Sequence, residues 1–455
     1  MAEINPEIFR EYDIRGVYGT DLTEDYVELI GKAYGTLIKR DNGKTVSLGR
    51  DCRLSSPSLS KSLIKGITST GINVINIGIV STPILYFSLF NMEVDGGVML
   101  TASHNPGDYN GLKLSINRDS LFGEGIQGLR KLIEAEDFEV GEGTVKDQSI
   151  TEDYVNYMKS SVHIRPGMNI AVDCGNGMVG LVGPQTLKEM GFALTELYSE
   201  PDGTFPNHHP DPTVEENLVD LQKAVTEDNC EVGIAFDGDG DRIGVVDENG
   251  TIIWGDMLVL IYALSVLEEN PGATVIGDVK CSSNLFKGIE EAGGNAIMWK
   301  TGHSLIKSKI KETNAELAGE MSGHMFFNDR FYGYDDAFYA ALRLLEIISK
   351  SGKKVSELLA SVPKTFSTPE IRAECDEATK FQLVETVTNM FRADYDVIDI
   401  DGVRVNFPDG WGLIRASNTQ PALVLRFEAE SEERLAEIRN LIEGKLETAK
   451  SQLSS

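Results

Sequence analysis

Up to about residue 360 the chain alternates strand-like apolar runs with amphipathic helical stretches. "TVSLG" precedes a Ser/Leu-rich helical stretch and is followed by "INVINIG" and "GGVML". "MNIAVDCGNG" precedes "LVGPQTLKEMG", then "ALTELY" and "VGIAF"; "ATVIGDV" precedes "SNLFKGIEEAGG", then "NAIMW" and "AELAGE". This alternation predicts β-α-β units with largely parallel, mixed sheets. Its recurrence predicts three related α/β domains, over 1–149, 150–253 and 254–366. Beyond residue 366 the texture changes: "DVIDIDGVRVNFPDGWGLIRASNTQPALVLRFEAES" alternates at period two with Asp-Gly turns, and "EERLAEIRNLIEGKLETAKSQ" reads as a helix. A small α+β domain over 367–455 is expected there, attached near "PKTFSTPE".

In each α/β series a strand ends in a polar loop marked by glycine or proline: "GGVML" into "TASHNP", "VGIAF" into "DGDGDR", and "AELAG" into "EMSGH". Loops beyond the carboxyl ends of parallel strands are where such sheets bind ligands, so the three are expected to converge on one central cleft. In the first, Asn105-Pro106 ends the strand, and Ser103 and His104 sit together on the turn. The serine is either a hydroxyl capping the next segment or a nucleophile held over the cleft. In the second, Asp237, Asp239 and Asp241 alternate with Gly238 and Gly240. Three carboxylates so close repel one another unless a cation neutralises them. The glycines let the backbone curl so that the oxygens face one point, and hard oxygen ligands on a tight loop suit Mg²⁺.

Other readings of the Asp loop exist. It could be a solvated acidic turn. An EF-hand would also begin D-x-D-x-D, but Arg242 stands where that loop needs glycine and the flanks are strands. A haloacid-dehalogenase-like, Mg²⁺-dependent phosphohydrolase would use Asp237 as nucleophile, with Asp241 at the fifth position of its motif, and would leave Ser103 unexplained.

Length and charge narrow the classes further. A chain of 455 residues is too long for one core and suggests about three or four domains. The most apolar run, Met257–Leu267, is too short to span a bilayer, and the opening residues show no basic-then-apolar signal pattern. Five scattered cysteines without a CxxC pair argue against a disulfide framework or zinc site, and a cytoplasmic setting is expected. A net charge of −29 argues against nucleic acid or anionic membrane as partner. It does not forbid an anionic substrate. Exposed charges are largely screened beyond roughly 8 Å, whereas a cation about 4 Å from a phosphate contributes several kcal/mol.

Taken together, "TASHNP" followed by "NGLK", then "DGDGDR", "GEMSGH" and "RASNTQP", with "EYDIRG" near the start, make the chain resemble the α-D-phosphohexomutase superfamily over essentially its whole length. These look like that family's phosphoserine, metal, sugar-binding and phosphate-binding loops. "GEMSGH" is similar to the bacterial phosphomannomutase/phosphoglucomutase group. Phosphoglucosamine mutases, the alternative within the superfamily, usually carry Gln where this chain has Met321.

The resemblance implies reversible interconversion of hexose 1-phosphate and hexose 6-phosphate (mannose, glucose or both) through a phosphorylated Ser103 and a bisphosphorylated sugar. It implies one Mg²⁺ held by Asp237, Asp239, Asp241 and a phosphoserine oxygen, and a sugar 1,6-bisphosphate as activator. Arg242 could add a second positive contact. Lys113, His303 and His324 are candidates by type for proton transfer, and His104 for shaping the loop or touching the phosphoserine. Glu320 and Ser322 would bind adjacent sugar hydroxyls. Arg415 would fork two phosphate oxygens, with Ser417, Asn418 and Thr419 adding short donors. Tyr12, Arg15 and Lys280 complete the site on resemblance. The final domain is expected to act as a lid over the distal phosphate, and the protein to be a monomer or homodimer.

Overall fold

The computed structural model describes residues 5–418 and 421–453. Its first sheet runs, in spatial order, Ile14–Val17, Tyr109–Ile116, Gly96–Leu100, Thr45–Arg50, Asn73–Ile79 and Val145–Asp147. The second runs Ile252–Ile253, Ile243–Asp247, Val232–Phe236, Asn169–Asp173 and Ala193–Leu197; the third runs Asn295–Trp299, Thr274–Asp278, Leu317–Gly319 and Met325–Phe327. One device recurs in all three. A block of parallel strands is closed by an antiparallel return: Gly96–Leu100 to Tyr109–Ile116, Val232–Phe236 to Ile243–Asp247, and Leu317–Gly319 to Met325–Phe327. The turn of each return is the polar loop singled out above, so the three domains present equivalent corners.

The helices begin and end where local chemistry dictates. Glu24–Arg40 starts at Thr23, whose hydroxyl accepts from the Tyr26 N–H at 3.3 Å, with Glu24 and Asp25 in its first turn and Lys39 and Arg40 in its last. Ala337–Ser351 starts at Asp336, which accepts from the Tyr339 N–H, and stops at Gly352 in the left-handed region. Thr82–Asn91, buried on nearly all sides, packs with the second and third domains in one continuous core. Most of the rest of the first domain has its own core, as does the last domain. Among the described residues no helix is long and apolar enough to cross a membrane, and all five cysteines are free.

The last sheet is wholly antiparallel: Phe366–Ser367, Ala422–Ala429, Gly410–Ala416, Val403–Phe407 and Asp396–Ile398, with Ile371–Glu374 also on Ala422–Ala429. Phe366 pairs with Ala429, so this sheet begins inside the stretch that sequence reads as a link. The domain is also docked on the third one. The buried Arg404 guanidinium donates to the carbonyls of Val279 and Cys281, both at 2.7 Å, and stacks 3.7 Å from the Trp411 ring centre. Arg426 donates to the Lys280 carbonyl, and Trp411 and Leu413 pack on Val279. Buried carbonyls left without these donors would each cost about 1–3 kcal/mol.

Candidate active site

Ser103 lies three residues beyond a fully buried strand, 3 % exposed, with φ +51°, a region few non-glycine residues enter. Its loop is gripped from behind by Arg53, whose buried guanidinium donates to the carbonyls of Ser103, Asn105, Pro106 and Tyr109 at 2.5–3.0 Å. Asp51 holds Arg53 in turn at 3.1 Å. The outcome is an aimed hydroxyl: Ser103 Oγ donates to Asp237 Oδ2 at 2.7 Å and lies 3.0 Å from His104 Nδ1.

Asp237 organises its own loop. Its Oδ1 accepts from the backbone N–H groups of Gly240, Asp241 and Arg242 at 3.0–3.1 Å. Gly240 takes φ +82°, and a Cβ at Gly238 would lie 2.5 Å from the Ser103 carbonyl oxygen, so the two loops can touch only with glycine there. Asp239 Oδ2 accepts from Thr82 Oγ1 at 2.5 Å and from Lys113 Nζ at 2.7 Å; Lys113 also pairs with Asp241. All three carboxylates are fully buried. Burial, with its two like-charged neighbours, pushes Asp237 well up. Burial also works against the Asp239 anion, but Lys113 and Thr82 prevail and hold it low. Lys113 is buried as well, yet Asp239 and Asp241 keep it firmly protonated.

The donor set suits a divalent cation. Ligand atoms of Asp237, Asp239 and Asp241 lie within 4.8 Å of one another, and Oδ1 of both Asp239 and Asp241 is buried with no hydrogen-bond partner among the described residues. Buried anionic oxygens without a donor are what a hard cation satisfies. A neighbouring group, Asp241, His324 and Asp335, meets the same distance limit, but Asp335 there is held by Lys307.

The third loop closes on the second. Arg242 Nε donates to His324 Nε2 at 3.0 Å, and the Ile243 N–H donates to the Gly323 carbonyl. His324 Nδ1 faces Asp335 Oδ2 at 3.0 Å and Asp241 Oδ1 at 3.6 Å. His303 stacks 5.7 Å from His324 with its Nδ1 3.9 Å from the same Asp335 oxygen; burial, then the charge of Lys307, lowers its pKa well below the usual range. Burial disfavours the Arg242 charge, but Asp211, Asp237 and Asp241 outweigh it and raise its pKa. Glu320 Oε1 accepts from the Gly302 N–H at 2.5 Å, and Ser322 Oγ donates to Oε2 at 3.2 Å.

The groups expected to grip the distal phosphate come from the first, third and last domains. Arg415 is nearly buried, with Nε donating to Asp401 Oδ2 at 3.0 Å. Asn418 Nδ2 donates to Tyr12 Oη at 2.7 Å, and Tyr12 Oη donates to the Thr301 carbonyl at 2.9 Å, so the last domain reaches the first through one phenol. Lys280 pairs with Glu370 at 3.1 Å, and Arg15 with Asp13 and Asn105. Ser417 is buried at the strand end; Thr419 lies outside the described residues. Sequence reasoning passed over Arg53, Thr82, Lys307 and Asp335. The His303/Lys307 spacing of four, which puts both on one helix face, was a usable signal. Nothing local marks the other three.

Comparison with known proteins agrees with this geometry. Models for phosphoglucomutase/phosphomannomutase alpha/beta/alpha domains I, II and III match residues 6–140, 152–250 and 254–366, and the model of the C-terminal domain matches 370–445. The phosphomannomutase/phosphoglucomutase of Pseudomonas aeruginosa is 46% identical over 447 residues, covering 98% of this chain and 96% of that protein. A phosphoglucomutase of Neisseria gonorrhoeae is 46% identical over 453 residues, covering 98% of each. The crystal structure of a phosphoglucomutase/phosphomannomutase family protein from Burkholderia thailandensis superposes with TM-score 0.93 at 42% identity, covering 98% of each chain. With all four domain models matched in chain order, and a solved relative of the same length and shape, the chain belongs to the phosphoglucomutase/phosphomannomutase family.

Proposed function

We propose that the protein interconverts hexose 1- and 6-phosphates by passing one phosphoryl group between Ser103 and the sugar. The observation that carries this reading is the Ser103 hydroxyl, strained out of the usual backbone regions and aimed at the Asp loop 2.7 Å from Asp237. In one half-reaction the Oγ–P bond of phosphoserine breaks as a sugar hydroxyl oxygen bonds to phosphorus, leaving free Ser103 and a sugar bisphosphate. After the bisphosphate turns, its other phosphate returns to Ser103 and the isomeric monophosphate leaves. Mg²⁺ on the three aspartates would supply charge compensation for the phosphoryl oxygens. Arg242 and Lys113 are the cations beside that path. His303, held neutral by burial and the charge of Lys307, and His324, whose Nδ1 faces Asp335 Oδ2 at 3.0 Å, are placed to take and return the hydroxyl proton. Glu320 and Ser322 offer an acceptor and a hydroxyl to adjacent sugar hydroxyls; contacts confined to O3 and O4 would accept glucose and mannose alike. Asp237 has both oxygens engaged, which disfavours it as a phosphohydrolase nucleophile.

All of these groups come from one chain, so the proposed site draws on no second copy, in keeping with a monomer or a homodimer. Phosphosugar substrates and five free thiols support a cytoplasmic setting. The test is a side-by-side mutase assay with Mg²⁺ and glucose 1,6-bisphosphate, offering glucose, mannose and glucosamine phosphates, together with peptide mass spectrometry. Phosphate on Ser103 and turnover of glucose or mannose phosphate are expected. Phosphate on Asp237 would overturn the assignment, and preference for glucosamine phosphate would move the protein to that branch.

A further inference from the structure

Behind the histidines, on the seam between the first and third domains, lies a cavity of about 420 Å³, within the roughly 300–1,000 Å³ typical of small-molecule sites. None of the residues placed around the phosphosugar lines it. One wall is a single face of the helix His303–Thr313, presenting Ser304, Lys307, Ser308 and Lys311 at spacings of three and four. The facing wall carries Arg118, Asp119 and Ser120, and the floor is aromatic: Tyr86, Phe90, Tyr332 and Tyr334. Three cations against one carboxylate are unusual in a chain of net charge −29.

Two of these cations are held loosely, while the third, Lys307, is paired with the buried Asp335. Arg118 is exposed, lies 5.0 Å from the Phe90 ring centre, and makes no ion pair among the described residues. Lys311 pairs with Asp119 where both side chains are more than half exposed, so the pair is readily exchanged for a stronger anion. Phe90 stacks on Tyr332 at 4.6 Å, and Tyr332 lies parallel to Tyr334, giving flat surfaces at the cavity. The hydroxyls of Ser304 and Tyr334, residues only 1 % and 3 % exposed, have no hydrogen-bond partner among the described residues. A buried hydroxyl without a partner is uncommon enough to point to a missing ligand.

We propose that this cavity is a second, regulatory site for a phosphorylated aromatic compound of the nucleotide class. The phosphates sit among Arg118, Lys307 and Lys311, and the heterocycle lies against the Phe90–Tyr332 stack. Lys307 connects this site to the reaction centre: its Nζ lies 4.1 Å from the Tyr86 ring centre and 3.2 Å from Asp335 Oδ1, and Asp335 faces His324. A phosphate that takes Lys307 removes a partner from the carboxylate that sets both catalytic imidazoles. Occupancy therefore lowers kcat more than it changes KM.

The test is calorimetric titration of the full-length protein with ADP, in Mg²⁺ and saturating glucose 1,6-bisphosphate so that the phosphosugar cleft is filled. Saturable binding is expected to persist there, to weaken at least tenfold in Arg118→Glu/Lys311→Glu and in Ser308→Glu, and to exceed that of inorganic pyrophosphate. None of these three residues touches the phosphosugar site, so basal activity should stay at the wild-type level. Heat is read independently of turnover, so failure here does not bear on the mutase reading. Displacement of ADP by the bisphosphate, indifference to the charge reversals, or no saturable binding at millimolar ADP would overturn the site. Pyrophosphate binding as tightly as ADP would overturn the aromatic assignment, and bound ADP without effect on kcat would overturn the link through Lys307.

Discussion

The Asp237–Asp241 loop and the Arg415–Asn418 strand end, the two oppositely charged regions of the proposed phosphosugar site, are built in opposite ways. The Asp loop organises itself: one side chain, Asp237, ties down three of its own backbone N–H groups within five residues. The strand end is held by groups outside it. Asp401 orients Arg415, and Tyr12 of the first domain holds Asn418. Both ends meanwhile rest against a counter-charge of the protein itself, Lys113 on Asp239 and Asp241, and Asp401 on Arg415. A self-organised loop suits the proposed role of facing a fixed phosphoserine and cation through every cycle. A grip assembled across domains suits the proposed lid, which would have to be made and released while the bisphosphate turns.

The sharpest way to break this contrast is at its fixed end. Ser103→Ala should remain folded, lose its phosphoryl group by intact-protein mass spectrometry, and lose turnover on the order of 10³-fold or more, above about 4 kcal/mol of transition-state stabilisation. Full activity in that variant would return the chemistry to Asp237. Next in size is the cation: EDTA should abolish turnover and Mg²⁺ restore it, while Asp239→Asn should weaken Mg²⁺ binding in a direct titration. Activity that survives in metal-free buffer would sink the role assigned to the Asp loop.

At the releasable end, Arg415→Ala removes charge-assisted hydrogen bonds of about 1.5–3 kcal/mol. KM should rise on the order of 10- to 100-fold, and the need for added bisphosphate should grow as intermediate escapes. Hydrogen exchange or small-angle scattering should show the last domain closing when sugar phosphate is added. Unchanged KM and no protection would remove the lid. The Lys280–Glu370 pair tests the seam by pH. Chiefly the Lys280 ammonium holds Glu370 down to about 2, below the ordinary 4.5, so the unfolded chain binds the extra proton in between. The pair's stabilisation is therefore present above about pH 4.5 and lost as pH falls toward 2, on the order of 1–2 kcal/mol for a partly exposed group. The Tm difference between wild type and Glu370→Gln should be largest near neutrality and vanish near the lower limit. Smallest is Asn418→Ala, one neutral hydrogen bond of about 0.5–1.5 kcal/mol, expected to raise KM only a few-fold. A larger effect would show that the contact with Tyr12 sets the closed position.

Much of this molecule is written locally, and the rest is not. Strand runs such as "GGVML" and "VGIAF", the three-fold recurrence, and the period-two texture of the last domain follow from side-chain periodicity, which depends only on neighbours in the chain. The Asp loop is legible for the same reason, since its glycines, carboxylates and backbone donors lie within six residues. Tertiary structure alone decided what meets what. Lys113 reaches Asp239 across 126 residues, Arg53 grips the Ser103 loop from 50 residues away, and Asp335 joins both histidines to Lys307. It also decided that the last domain docks through the buried Arg404, Arg426 and Trp411, residues whose types would suit an exposed sheet equally well. The physical reason is that burial and pairing of charge are set by which domain faces supply the partner, and a one-dimensional pattern carries the charge but not its distance to the opposite one.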